Sequence, residues 1–93
     1  MSQPESQDET CRRVANRLRR ARGQLDAVIR EVEEGGSCRD VITQLAAVTH
    51  ALNRAGFVVV AGAMQACAND PEGARERDGL TPAELEKIFL SLA

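Results

Sequence analysis

The chain has 93 residues, a formal net charge of −2, three cysteines, one histidine and only two aromatic residues, Phe57 and Phe89. A chain of that length holds one small domain and buries a modest share of its surface, so association of copies would have to supply further core. The shortage of aromatics leaves Leu, Val, Ile and Ala to do the packing, which suits helix seams and disfavours a β-sandwich, and the mildly acidic balance excludes nucleic-acid binding by bulk charge.

Residues 1–8 are polar, acidic and proline-bearing, the composition of a flexible arm, and 9–93 form the expected single helical domain. From about Glu9 to Glu34 apolar residues recur as Val14, Leu18, Ala21, Leu25, Val28, Ile29 and Val32, a spacing of three and four that predicts an amphipathic helix stopped by Gly35 and Gly36. Ser37 then caps a second helix from Cys38 to about Ala68, with Asp40 in its first turn and small residues Gly56, Ala61, Gly62 and Ala63 permitting close approach. Turn formers and charges in 69–79 predict a loop or frayed turn. Thr81, Pro82 and Glu84 make a capping box with proline at the first helical position, opening a third helix that carries Leu85, Ile88, Phe89 and Leu92. The fold class expected is therefore all-α. The N-terminus is followed by no hydrophobic leader and no apolar run of about 18 residues goes unbroken, so the chain reads as cytoplasmic, away from membranes, with its cysteines starting as thiols.

Cys38 and Cys67 are 29 residues apart at the two ends of the second helix, which brings them onto nearly one helical face. At the rise of an α-helix they stand about 43 Å apart, so they cannot meet within one chain. Two copies packed antiparallel about a two-fold axis would set Cys38 of each beside Cys67 of the other, and symmetry would generate the pair twice. Cys38, in the first turn next to Arg39, is placed where the helix dipole favours a thiolate; Cys67, in the last turn, suits a resolving thiol. Cys11 lacks a partner at metal-ligand spacing and reads as incidental, and His50 lies too far along the helix from either thiol to join them. Arg12, Arg13, Arg17, Arg19 and Arg20 stand opposite the apolar stripe of the first helix, a basic face whose planar forks suit phosphates. With no aromatics interleaved for base stacking, duplex DNA fits better than a single strand.

RLRRARGQL (17–25), CRDVITQLAAV (38–48) and a second cysteine at the end of the same helix resemble the copper-sensitive-operon repressor family, over about residues 10–68. The resemblance implies a three-helix protomer, an antiparallel four-helix-bundle dimer and a tetramer that binds operator DNA without a helix-turn-helix and releases it on effector loading; it adds Arg54 to Arg17, Arg19 and Arg20 as expected DNA contacts. Copper sensors of the family place a histidine four residues before the second cysteine, where this chain has Ala63; nickel sensors need still more nitrogen, and formaldehyde sensors an N-terminal proline, where this chain would begin at Ser2. The pattern left is similar to the persulfide-sensing branch. The expectation is then a repressor, not an enzyme, with no cofactor, in which Cys38 takes sulfur from a low-molecular-weight persulfide or polysulfide and Cys67 of the partner closes a sulfur bridge. The alternatives are a Cu(I) sensor using the same two thiolates, since soft sulfur suits that ion, and a thiol adaptor or sulfur carrier that does not bind DNA.

Overall fold

The computed structural model describes residues 7–93, the side chains of Gln7 and Asp78 excepted, and every regular element among them is helical. The first helix, α1 (Gln7–Glu33), already includes Gln7 and Asp8, the end of the expected arm; residues 1–6 lie outside the described residues. It closes as the paired glycines demand. Gly35 takes the left-handed conformation (φ 76°), the Gly36 amide donates to the Glu31 carbonyl (2.8 Å) and the Gly35 amide to Val32 (3.2 Å), a Schellman pair that satisfies carbonyls otherwise left bare.

Ser37 caps α2 (Cys38–Asn69), its hydroxyl oxygen accepting from the Asp40 amide at 3.2 Å. With only four residues between them, α1 and α2 form a hairpin in which Thr10, near the start of α1, meets Gly62, near the end of α2. Along this seam the buried residues are small or β-branched: Ala21 and Val28 from α1, Val48 and Ala55 from α2. A Cβ on Gly62 would stand 3.0 Å from the Thr10 methyl, so the bare backbone there sets how closely the helices approach.

Residues 70–78, expected to be loop, open with a further helix, α3 (Pro71–Asp78), so the protomer has four helices among the described residues where three were expected. The physical reason is present in the residues themselves. Asp70 accepts from the Gly73 amide at 3.1 Å, Pro71 supplies the fixed φ of a first turn, and Gly79 (φ 65°) ends the helix with its amide donating to Arg75. Ala74 is its one buried side chain among those described. The last helix, α4 (Pro82–Leu92), begins at the expected cap: Thr81 accepts from the Glu84 amide and its hydroxyl donates to the Glu84 carboxylate. Leu85 buries itself, Leu92 covers Gly56, and the Phe57 and Phe89 rings meet with centroids 5.5 Å apart.

Both α3 and α4 pack on α2, as does α1, and among the described residues the backbone of α1 does not come close to that of either. The result is an elongated body, 52 × 25 × 25 Å, with a radius of gyration of 16.7 Å where a compact chain of this size would show about 12 Å. Its core is thin, and large apolar side chains stay outside: Ile29, Val32, Ile42 (65 % exposed), Leu45 and Leu52. By length and hydropathy α2 also contains an 18-residue window apolar enough to cross a membrane, although Arg54 interrupts every such window, as the expectation of no unbroken run requires. The same helix carries Arg39, Asp40, His50 and Arg54 and packs against three other helices, and a single helix of this kind is weak evidence for a membrane span.

Candidate functional site

Cys38 is exposed in the first turn of α2 and Cys67 is half-buried in its last. Because α2 runs unbroken between them, the helix holds the thiols about 43 Å apart, and their offset of 29 residues leaves them about 20° from the same helical direction. Within one protomer they therefore form no site. Cys67 has a local partner that no spacing along the chain reveals: its sulfur lies 4.0 Å from the Leu80 carbonyl oxygen, in the linker between α3 and α4. Cys38 has α2's dipole and the capped turn of Ser37 beside it and faces solvent.

The apolar side chains left uncovered lie on the face these thiols share. At about 100° per residue, Ile42, Leu45 and Leu52 project within a quarter turn of Cys38, while α3 and α4 occupy the same side of α2 farther along, at Gly56 and Cys67. On α1, Leu25, Ile29 and Val32 continue that surface. One side of the hairpin is thus apolar at the Cys38 end and roofed by α3 and α4 at the Cys67 end.

The arginines take the other side. Arg13, Arg17 and Arg20 recur at three and four residues along one flank of α1, and in an antiparallel hairpin the same periodicity turns Arg54 of α2 to that flank. Arg20 and Arg54 are exposed and Arg17 half-buried. Arg19 lies a step around the helix, its guanidinium donating to the Asn16 side chain at 3.0 Å. The expected basic face is therefore split: Arg17, Arg20 and Arg54 share a side, and Arg19 is apart from them.

Nitrogen donors are scarce around the thiols. His50 is exposed near the middle of α2, Ala63 occupies the position one turn before Cys67, and no group of three or more His, Cys, Asp or Glu able to hold a metal forms among the described residues. Two thiolates remain a fitting set for a soft ion such as Cu(I), provided two chains contribute them.

The described residues thus form a small, elongated, all-helical protomer with a thiol at each end of α2 and an arginine flank. A family model described as metal-sensitive transcriptional repressor matches residues 10–91, and the chain belongs to that family. It is similar to the copper-sensing transcriptional repressor CsoR of Mycobacterium ulcerans (strain Agy99), 43 % identical over 56 residues that make up 60 % of this chain and 48 % of that protein. The same-named proteins of Mycobacterium bovis (strain BCG / Pasteur 1173P2) and Mycobacterium tuberculosis (strain ATCC 25618 / H37Rv) are each 38 % identical over 56 residues, 60 % of this chain and 47 % of theirs. The chain thus spans about half the length of the curated relatives it matches. No solved structure matches it significantly.

These findings correct one expectation. The absence of any metal effector, inferred from the missing histidine at Ala63, is overturned by membership of a metal-sensitive family and by relatives named as copper sensors. Loss of an imidazole removes one donor, and the two cysteine sulfurs, the soft donors that select Cu(I), are still present. The family is one of repressors and not of enzymes.

Proposed function

We propose that this chain is a DNA-binding transcriptional repressor whose hold on its operator is released when Cu(I) is taken up by Cys38 of one protomer and Cys67 of an antiparallel partner. The observation that carries this reading is the placement of both thiols on nearly one face at opposite ends of an unbroken helix, beside an apolar surface that a single chain leaves in water. A second copy laid antiparallel buries Ile42, Leu45 and Leu52 beside the partner's α3 and α4, and brings its Cys38 to the partner's Cys67, which those helices leave half-exposed. Cu(I), when bound, supplies strong bonds to both sulfurs and so ties the two protomers at each end of the seam.

The chain's own parts do the rest. Arg17, Arg20 and Arg54, on the side away from that seam, track duplex phosphates, and pairing of protomers into dimers and a tetramer repeats the patch. An effector that draws the thiols together changes the spacing of these repeated patches; a coupling of about 1–3 kcal/mol lowers operator affinity about 5- to 150-fold. Anaerobic Cu(I) titration against a chromophoric chelator, with operator binding followed in parallel, tests the proposal. Tight uptake of one Cu(I) per protomer with loss of DNA, absent in Cys38→Ser and Cys67→Ser, is the expected result; DNA binding indifferent to Cu(I) overturns it.

A second reading is favoured by one observation, the lack of any third donor near the thiols among the described residues. In it Cys38 thiolate attacks the outer sulfur of an organic persulfide, RS⁻ leaves, and the partner's Cys67 thiolate displaces HS⁻ to close a disulfide across the seam. Mass spectrometry after persulfide treatment separates the two: covalently linked protomers and DNA release without copper support this route, and release by Cu(I) alone supports the first.

A further inference from the structure

Where α1 and α3 both pack on the end of α2, a cleft of about 750 Å³ stays open between them. Its walls include Val14 of α1, Ala63 and Ala66 of α2 and Leu80 of the linker; Cys11 and Arg77 stand in the same lining. Among the described residues that line it, Arg77 is the only charged group and no carboxylate is present. Its nearest acid, Asp70, is 3.9 Å away, and both side chains are about half exposed, 47 % and 61 %, so the pair is weak. Asp70 is already engaged as the cap of α3 through its other oxygen.

Volume, apolar walls and one cation are the attributes of a site for a small molecule, with the polar group fixing its orientation. We infer that this cleft binds a small organic anion, an apolar body lying against Val14, Ala63, Ala66 and Leu80 with its carboxylate at Arg77. The cleft adjoins the Cys67 end of α2, sharing Ala63 and Leu80 with it, but neither Cys38 nor Cys67 is in its lining. A ligand there bridges α1, which carries the arginines, to α3, and so adds a second input to the same helix.

Cys11 in the lining provides the test. In the full-length Cys38→Ser/Cys67→Ser variant Cys11 is the sole thiol, and its rates are measured with an anionic aromatic disulfide, 5,5′-dithiobis(2-nitrobenzoate), and a neutral one, 4,4′-dithiodipyridine, each scaled to N-acetylcysteine. In either reaction the Cys11 thiolate attacks one reagent sulfur, the reagent's S–S bond breaks, a mixed disulfide forms and the other half leaves as a thiol or thiolate. The expected result is a preference for the anionic reagent of about fivefold, the scale of one partly solvated charge contact, lost in Arg77→Gln, with decanoate slowing both reagents. Circular dichroism verifies that Arg77→Gln keeps its helices. Equal scaled rates, no effect of Arg77→Gln, or no protection by decanoate overturns the inference; so does a preference that vanishes as protein concentration rises, which would assign the cleft to a second copy. Since both effector thiols are absent, none of these outcomes bears on the Cu(I) reading.

Discussion

Leu92, at the end of α4, closes over the bare backbone of Gly56, where a Cβ would stand 2.9 Å from the leucine Cδ1. The last helix is docked through this contact and the buried Leu85. Alanine at 56 asks only that the flexible leucine tip shift, and it gains about 1 kcal/mol of helix propensity, so Gly56→Ala should be neutral or mildly stabilising. Valine adds methyls that the leucine cannot clear, and Gly56→Val should cost about 1–3 kcal/mol. Urea unfolding of the two variants checks both signs.

The cap of α4 gives a local counterpart. Thr81 holds the Glu84 amide and its carboxylate at once, and Thr81→Ala should cost about 1 kcal/mol. Because α4 contacts only α2, the loss should surface as faster amide exchange across 82–92, with α1 and the first half of α2 unchanged. Equal acceleration in α1 would refute this partition.

The antiparallel seam makes a distinctive prediction about mixtures. Cys38→Ser and Cys67→Ser should each resist oxidative cross-linking into a dimer through these positions, in a background where Cys11→Ser removes the third thiol. Mixed and re-equilibrated, they should cross-link, because a heterodimer holds one intact Cys38–Cys67 pair. A non-reducing gel decides: a linked dimer in either single variant, or none in the mixture, contradicts the arrangement.

The arginine flank predicts a graded weakening of DNA binding. Arg20→Ala and Arg54→Ala should each flatten the dependence of log affinity on log salt by about 0.9 for every phosphate that is no longer neutralised, multiplied by the number of protomers on the duplex. Arg19→Ala, set around the helix and engaged with Asn16, should change the slope less. Fluorescence anisotropy with duplex DNA at several salt concentrations measures all three.

Local signals in this chain carried far. The glycine stop after α1, the Ser37 cap and the Thr81 cap each form where the residue types require, because each depends on a few neighbouring backbone groups. The residues of α3, Asp70 then Pro71 and later Gly79, make turns as readily as helix caps, and the burial of Ala74 adds to those caps in favour of the helical outcome. The split of the basic face was illegible for a related reason, since the wheel of α1 alone has no α2 beside it to define a side.

By itself, the sequence determined the stop of α1, the caps that open α2 and α4, the shared face of Cys38 and Cys67, and the arginine-rich character of α1, all consequences of local residue types and spacing. Tertiary structure alone decided that α3 and α4 roof the Cys67 end while the Cys38 end stays bare, that Arg54 joins Arg17 and Arg20, and that Cys11 lines a cleft. Those facts depend on how helices distant in the chain lie against α2, and that is settled by which small residues let the backbones approach, as Gly56 and Gly62 do here.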